Sequence, residues 1–439
     1  MKVAIIGGAS IRTPLLVKGL SGSGLPLEEI ALFDTDQRRL ATVAALASSY
    51  SSRVREFADA RSCVDGAAFV VLSIRPGGIA ARARDESTAM VHGIVGQETV
   101  GPAGFAMAMR TVPPSIEYAR LVAEAAPSAW IINFTNPVGI VTHAITAEGH
   151  SRAIGICDTP TELFERTAHV LDLPYERCFF DYFGLNHLGW LRNVYIDGRP
   201  QLHSLWSSPE RLAHVYDAPF FAEAFLRDLN LLPTEYLFFY YSPTAAYENT
   251  RRAGQTRAAA ITTLNEKLFH DLTEDGADRL AVYEAYLDAR CAGYMQTETG
   301  TRSATASPSD KAAGDRLAER HEFAGYDRVA LAVIRAIHFD ANAIMPLNVP
   351  NRGSLSFLAD EDIVEVPCVV NGNGARPLAT ERPTDSVCDL ILRVREYERL
   401  TVHAASTRND DDSRRALFAN PLIPSRDVAS SLVRALQPW

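Results

Sequence analysis

Several features that would assign this chain to a familiar class of protein are missing from its sequence. Among 439 residues there is no run of Lys or Arg, and the formal net charge is -10 at pH 7. A nucleic-acid partner is not expected, because nucleic acids are bound through a concentrated basic patch. No apolar run reaches the roughly 20 residues that a transmembrane helix needs, so no membrane association is expected either.

Cysteine usage also excludes one class of protein. The six cysteines are scattered, and no Cys-x-x-Cys pair is present. In a chain of this length that pattern argues against a disulfide framework. Met1 and Lys2 lead directly into Val-Ala-Ile-Ile-Gly-Gly, without the long apolar segment of a secretory leader. We therefore expect reduced thiols and a cytoplasmic protein.

Short apolar runs alternate with helical patterns in the first part of the chain. Strands are predicted at residues 3–6, 29–33, 69–74, 130–134 and 154–157. This alternation is typical of an α/β fold with a doubly wound parallel sheet. The prediction is a Rossmann-type domain over residues 1–160, with a long polar loop starting at Arg75 and ligands beyond the carboxyl ends of the strands.

The remainder, residues 161–439, has a different pattern. Strands are predicted at residues 180–185, 191–196 and 363–370, and helices at 220–290, 324–337 and 383–404. We interpret this part as an α+β domain for substrate binding and oligomerisation. Residues 297–314 are rich in small and polar types and are predicted to be a mobile loop.

The first strand ends in a glycine turn that is typical of nucleotide binding. Gly7-Gly8-Ala9-Ser10 precedes a helix, and glycines there let a pyrophosphate approach the backbone. Asp34 ends the second strand at the place of a carboxylate that binds the ribose 2′-hydroxyl, which favours NAD over NADP. The GxGxxG fingerprint itself is missing, so a merely structural turn is the alternative.

Four polar segments combine reactive side chains with Gly or Pro, and each follows an apolar run. They are Gln97-Glu98-Thr99, Asn133-Phe134-Thr135-Asn136-Pro137, Cys157-Asp158-Thr159-Pro160 and Gly184-Leu185-Asn186-His187. The thiolate of Cys157 and the imidazole of His187 could bind a borderline divalent metal. From spacing alone, a buried core cysteine and a structural histidine remain the alternatives.

Taken together, these segments resemble glycoside hydrolase family 4, the NAD- and metal-dependent glycosidases that depart from the two-carboxylate rule. Within the family, the resemblance is to the 6-phospho-β-glucosidases, and it covers nearly the whole chain. It is also carried by Arg75-Pro76-Gly77-Gly78, Tyr236-Leu237 and Val364-Glu365-Val366-Pro367-Cys368.

The resemblance implies roles for individual residues. Cys157 and His187 would be the metal ligands, with Mn²⁺ preferred over Co²⁺, Ni²⁺ or Fe²⁺. Tyr236 would be the catalytic base and Asp158 the proton donor. The remaining expected contacts are Gly7, Gly8, Ser10, Asp34 and Arg75 for NAD, and Arg82, Asn136, Asn186 and Arg257 for the sugar and its phosphate.

Two departures from the family pattern leave alternatives open. Tyr240 and Tyr241 compete with Tyr236 for the role of base, because Phe239 stands where another Tyr is frequent. Asp158 follows the cysteine at a position where β-acting members often have Asn and α-acting members Asp. The α or β linkage of the substrate therefore stays open, and so does whether its sugar is phosphorylated. Arg82 could instead pair with the nearby Asp85 or Glu86.

The expected reaction is hydrolysis through oxidation at C3 of the sugar, deprotonation at C2, elimination of the aglycone and addition of water. A 2-hydroxy-acid-type dehydrogenase and a non-catalytic dinucleotide sensor are the competing functions. A homodimer or homotetramer is expected from the habit of the family.

Overall fold

The computed structural model describes residues 1–216, 219–274, 276–300 and 326–437. Its strands form one sheet of nine strands and a second sheet of four. The strands are β1 (Lys2–Ile6), β2 (Glu29–Phe33), β3 (Val54–Glu56), β4 (Phe69–Leu72), β5 (Trp130–Asn133), β6 (Ala153–Gly155), β7 (Phe179–Leu185), β8 (Leu188–Ile196), β9 (Arg199–Pro200), β10 (Leu232–Pro233), β11 (Ala343–Pro350), β12 (Ile363–Asn371) and β13 (Gly374–Pro377).

The larger sheet has the order β13-β12-β11-β6-β5-β4-β1-β2-β3, and β1 to β6 are parallel. From β1 the chain winds outward on one side through β2 and β3, and on the other through β4, β5 and β6. This is the predicted doubly wound sheet, and the α/β class is confirmed. The carboxyl ends of the six parallel strands therefore lie at one edge, where ligands bind in such folds.

Three antiparallel strands from the second half of the chain extend the same sheet. β11 pairs with β6 through Asn348 and Gly155, and β12 and β13 continue outward. The separate antiparallel sheet consists of β7, β8, β9 and β10. The α+β character of the second half is confirmed, whereas the division of the chain after residue 160 stays a prediction.

Both faces of the parallel sheet are covered by helices, so its central strands are apolar on both sides. In β1, Val3 and Ala4 have no exposed surface and Ile5 and Ile6 have 1%. The α-helices are Thr13–Gly22, Gln37–Ala47, Ala60–Val64, Gly78–Val91, Gly101–Ala125, Val138–Ala147, Thr159–Val170, His203–Trp206, Pro209–Ala213, Glu223–Leu229, Phe238–Tyr241, Pro243–Ala253, Arg257–Asp271, Arg279–Ala292, Gln296–Thr299, Tyr326–His338, Asp385–Thr407, Asp410–Ala419 and Arg426–Leu436. Within the described ranges, no helix is long and apolar enough to cross a membrane.

The long polar loop predicted from Arg75 is wrong. The structure has helices at Gly78–Val91 and Gly101–Ala125 instead. The first of these has weak amphipathic character because its buried side includes the charged residues Arg82, Asp85 and Glu86. Ion pairing satisfies those charges in the folded protein, and such pairing is invisible to a pattern of apolar residues. Most of the predicted loop 297–314 lies outside the described residues.

The glycine turn after β1 is built against two neighbouring strands. The backbone N–H groups of Gly7 and Gly8 both donate to the carbonyl of Phe33, at 2.9 and 2.8 Å. Gly7 has a φ of +91°, and a Cβ placed on it would lie 2.1 Å from the carbonyl oxygen of Ser73. Only glycine fits there, because it has no side chain and adopts positive φ without strain.

We expect Gly7→Ala to lower the free energy of unfolding by about 2–4 kcal/mol, since both the clash and the backbone conformation oppose it. Chemical denaturation measures this. Gly22→Ala is the matched control, because a Cβ at the end of the first helix meets no atom within 4 Å. Equal stability of the two variants would contradict the steric interpretation.

Candidate active site

The turn residues predicted to bind a dinucleotide lie together at the carboxyl edge of the sheet. Asp34 accepts a hydrogen bond from the backbone N–H of Ala9 at 3.0 Å through one carboxylate oxygen, and from the N–H of Asp36 at 3.0 Å through the other. The hydroxyl of Ser10 accepts from the backbone N–H of Arg12 at 3.3 Å. Asp34 therefore connects the end of β2 to the turn after β1.

The buried carboxylate of Glu98 contacts three residues that were predicted to bind NAD or the sugar. It accepts hydrogen bonds from Arg75 at 2.7 Å and from the Asn136 amide at 3.3 Å, and it also pairs with Arg82. Burial disfavours a charge on Glu98, but Arg75 and Arg82 outweigh it and hold the pKa of this carboxyl well below its usual range. Arg82 pairs in addition with Glu86 at 2.7 Å, which is the carboxylate pairing considered from sequence.

His187 lies on the other side of the same segment, between a hydroxyl and an aromatic ring. Its Nδ1 is 2.7 Å from the hydroxyl oxygen of Thr99. The ring of Tyr236 stacks on the imidazole with a centroid distance of 3.7 Å and an interplanar angle of 6°. Burial lowers the pKa of His187 to about 4, against the attraction of Glu98. The ring is therefore neutral at pH 7, the form in which histidine binds metals.

Cys157 follows β6 and is buried, with its Sγ 3.9 Å from a carboxylate oxygen of Asp158. Burial raises the pKa of the thiol well above its usual value, and the charges of Glu365 and Asp158 raise it further. A divalent cation would offset those charges and favour the thiolate, so the chemistry of this donor fits a metal. In the described ranges, no three His, Cys, Asp or Glu residues are grouped as a complete ligand set.

Asp158 lies immediately before the helix Thr159–Val170 and close to Arg12, two residues after the glycine turn. One of its carboxylate oxygens is 3.9 Å from a guanidinium nitrogen of Arg12. Burial raises the pKa of Asp158, although Arg12 opposes that shift. A raised pKa is the direction that the role of proton donor requires of a carboxyl group.

The three tyrosines that compete for the role of base have different surroundings. Tyr236 stacks on His187, whereas the hydroxyl of Tyr241 accepts a hydrogen bond from the indole of Trp190 at 3.2 Å. Burial raises the pKa of Tyr240 above its usual range, and the charge of Glu398 raises it further. Of the three phenol rings, that of Tyr236 is the one stacked on a predicted metal ligand.

Two arginines lie on or against the helix Arg279–Ala292. Arg257 donates to the backbone carbonyls of Arg290, at 2.9 Å, and of Gly293. Arg290 was not singled out from sequence, where it is one charged residue in an ordinary amphipathic helix. It donates to the hydroxyl of Tyr286 at 3.1 Å, and its charge helps to lower the pKa of Glu98. The structure thus adds a guanidinium to the side of the site occupied by Arg82.

Glu365 was noted from sequence only as part of a motif, and the structure gives it a position. Its carboxylate accepts hydrogen bonds from Tyr182 at 2.7 Å, from Asn348 at 2.8 Å and from the predicted sugar contact Asn186 at 3.2 Å. Burial raises the pKa of Glu365 to about 7, although the three donors oppose that shift. Glu365 therefore anchors the residue that precedes His187.

We expect Glu365→Ala to lower kcat/KM about 10- to 100-fold, because the Asn186 side chain loses the acceptor that holds it in position. Glu365→Gln retains an acceptor oxygen and should lose less activity. Removing the acceptor also leaves buried donors unpaired, at a cost of roughly 1–3 kcal/mol each in stability. Steady-state kinetics and denaturation measure the two effects separately.

A double-mutant cycle tests whether Glu365 acts through Asn186. In an Asn186→Ala background, Glu365→Ala should cause little further loss of activity, because the shared interaction is already gone. Glu361→Ala, at an exposed neighbouring position, is the control. Additive losses in the double variant would contradict this positioning role.

Comparison with known proteins places these residues in a family. The model described as "Family 4 glycosyl hydrolase" matches residues 2–173, and that described as "Family 4 glycosyl hydrolase C-terminal domain" matches residues 182–423. A probable 6-phospho-beta-glucosidase of Bacillus subtilis (strain 168) is 29% identical, with 99% of this chain and 95% of the relative covered. A phospho-alpha-glucosidase of Clostridium acetobutylicum is 27% identical, with 99% and 96% covered.

Solved structures agree with this assignment. The 6-phospho-beta glucosidase of Thermotoga maritima, solved with manganese, NAD⁺ and glucose-6-phosphate, is 26% identical. Its TM-score is 0.81, and 99% of this chain and 97% of that one are covered. Since the two family models together span most of the chain, the protein belongs to family 4 of the glycosyl hydrolases.

Proposed function

We propose that this protein is a 6-phospho-β-glucosidase that requires NAD⁺ and a divalent metal, with Mn²⁺ preferred. The observation that carries the proposal is the contact of the neutral His187 ring with Tyr236, beside the segment that also holds Arg75 and Arg82. The relatives whose names specify 6-phospho-β-glucosides, and the solved relative with manganese and NAD⁺, support it.

The residues divide into a nucleotide part and a metal part. The glycine turn and Asp34 would hold the adenosine half of NAD⁺, and Cys157 and His187 would hold the metal. When bound, the two groups would supply a hydride acceptor for C3 of the sugar and a Lewis acid for its C2 and C3 oxygens. All other steps fall to side chains of the chain itself.

Tyr236 would take the proton from C2 onto its phenolic oxygen, held beside His187 by ring stacking. Asp158, whose pKa is raised by burial, would donate a proton to the departing aglycone oxygen. Asn136 and Asn186 would hold sugar hydroxyls, positioned by Glu98 and by Glu365 respectively. The proton taken from C2 thus has a named acceptor, and the departing aglycone oxygen has a named proton donor.

A 6-phospho-α-glucosidase is the second candidate. It is favoured by Asp158, which stands next to the predicted ligand Cys157 as in α-acting members, and by relatives with that name at 26–28% identity. A homodimer or homotetramer and a cytoplasmic location stay predictions.

We expect hydrolysis of chromogenic 6-phospho-β-glucosides to require both NAD⁺ and Mn²⁺ without net accumulation of NADH. In deuterated water, the wild type should incorporate deuterium at C2 during turnover, and Tyr236→Phe should lose this exchange while remaining folded. Product analysis by mass spectrometry and absorbance at the NADH band measure these outcomes.

Tyr241→Phe is the matched control, because the Tyr241 hydroxyl accepts a hydrogen bond from Trp190, whereas the ring stacked on His187 is that of Tyr236. Full activity of protein stripped of nucleotide and metal would contradict the proposed function. If deuterium exchange at C2 were retained in Tyr236→Phe but lost in Tyr241→Phe, the role of base would be assigned to Tyr241. Faster turnover of the α-linked substrate would favour the second candidate.

We expect the wild type to prefer a 6-phosphorylated glycoside over its neutral parent, since arginine binds phosphate through paired hydrogen bonds. Arg82→Ala and Arg257→Ala should each lower the ratio of kcat/KM for the phosphorylated substrate to kcat/KM for the neutral one. The expected change corresponds to about 2–4 kcal/mol of transition-state stabilisation. Because both residues also make structural contacts, the measured quantity is the ratio between the two substrates, in which a shared loss of folded enzyme cancels.

Arg177→Ala is the control for this comparison, since Arg177 is an exposed residue paired with Asp197. A wild type that prefers the neutral sugar would disprove the phosphate assignment. An unchanged ratio of kcat/KM values in both variants would show that neither arginine binds the phosphate.

A further inference from the structure

We propose that Gln97 and Thr99 position His187 for metal binding, by holding its ring in the tautomer that is protonated on Nδ1 and has its lone pair on Nε2. The inference rests on the proposed function, because it concerns the metal which that function requires. It assigns to Gln97 and Thr99 a role that sequence motifs alone did not indicate.

The orientation of the Gln97 amide is the first step. Its Oε1 lies 2.7 Å from the backbone nitrogen of Thr99 and 3.1 Å from that of Val100. A backbone N–H can only donate, so the atom that faces both must be the amide oxygen. Gln97 is 6% exposed and lies just before the helix Gly101–Ala125, so these backbone contacts hold the oxygen in place.

The hydroxyl hydrogen of Thr99 is the second step. Thr99 Oγ1 lies 3.0 Å from Gln97 Oε1. An amide oxygen cannot donate, so the hydrogen between these two oxygens must come from the Thr99 hydroxyl. Were that hydrogen directed elsewhere, two lone pairs would face each other at a hydrogen-bond distance.

The tautomer of His187 follows from the orientation of the Gln97 amide and the direction of the Thr99 hydroxyl hydrogen. Because the single hydroxyl hydrogen of Thr99 is directed to Gln97, its oxygen can only accept from His187 Nδ1 across their 2.7 Å contact. A neutral imidazole carries one hydrogen, so the lone pair is on Nε2. Within the described residues, no hydrogen bond from Nε2 to another group is seen, and that nitrogen is free to bind a metal.

Ring orientation is set by the same contacts. His187 has a φ of +59°, and its ring is held at Nδ1 by Thr99 and on one face by Tyr236 at 3.7 Å. A hydrogen bond on the second nitrogen of a metal-binding histidine fixes both its tautomer and its plane. Thr99 is therefore a positioning residue that acts through His187.

The test uses the full-length protein without metal, labelled with ¹⁵N at histidine. The His187 signals are assigned by comparison with His187→Gln. We expect an Nδ1 signal typical of a protonated nitrogen and an Nε2 signal typical of an unprotonated one. An Nε2-protonated ring in the wild type would disprove the inference directly, whatever the enzyme's activity.

Substitution of Thr99 provides a second, independent measurement. Thr99→Val keeps the shape and removes the acceptor, and we expect it to weaken Mn²⁺ binding, measured by electron paramagnetic resonance, about 10- to 100-fold. Thr99→Ser retains the hydroxyl and should bind Mn²⁺ like the wild type. Thr167→Val is the control, because the hydroxyl of that buried residue donates to the carbonyl of Leu163 in its own helix, at 2.7 Å.

Wild-type Mn²⁺ affinity and an unchanged tautomer in a folded Thr99→Val protein would overturn the proposal. Absence of Mn²⁺ binding by the wild type would instead contradict the proposed function. In that case the nitrogen signals of the metal-free protein would still decide the tautomer, so the two failures are distinguishable.

Discussion

The carboxylate of Glu98 joins side chains that leave the sheet at different strands, and much of the site depends on that contact. Arg75 follows β4, Arg82 lies on the helix after it, and Asn136 follows β5. A buried carboxylate is unfavourable without cations, and a buried guanidinium is unfavourable without carboxylates. Glu98 is 8% exposed and Arg82 is 6% exposed, so the burial of each charge depends on its ion pairs, with Arg75 and Arg82 for Glu98 and with Glu86 and Glu98 for Arg82.

The short segment that contains Glu98 also serves the opposite side of the site. Neighbouring side chains have different partners: Glu98 contacts the arginines, while Thr99 contacts His187 and Gln97 contacts Thr99. The region proposed to bind phosphate and the region proposed to bind metal are therefore connected through three consecutive residues. A shift of this backbone would displace both regions together.

The second half of the chain completes a site whose framework belongs to the first. Glu365 on β12 anchors Asn186, and Arg290 on the helix Arg279–Ala292 adds its charge near Glu98. The hydroxyl of Tyr283, on the same helix, donates to the carbonyl of Ile11 just after the glycine turn, at 2.6 Å. Elements that are distant in sequence thus contact the segment after the glycine turn and the proposed sugar contact Asn186.

The alternation of apolar runs by itself determined the parallel sheet, because strands buried on both faces must be continuously apolar. The glycine turn and Asp34 were likewise recognisable, since both are local to strand ends. The helix Gly78–Val91 was not, because its buried side is charged and those charges form ion pairs with Glu98 and Arg110, which lie outside the helix. Burial of these charges is favourable only when the oppositely charged side chains are in place beside them.

The candidate site divides in the same way. Individual side chains such as Cys157 and His187 could be named from the sequence by resemblance, but their protonation could not be derived from it. Only the tertiary structure decided which tyrosine stacks on His187 and which hydroxyl holds its Nδ1. Those properties depend on burial, on the stacking of two rings and on a hydrogen bond between residues 88 positions apart, and such contacts exist only once the chain is folded.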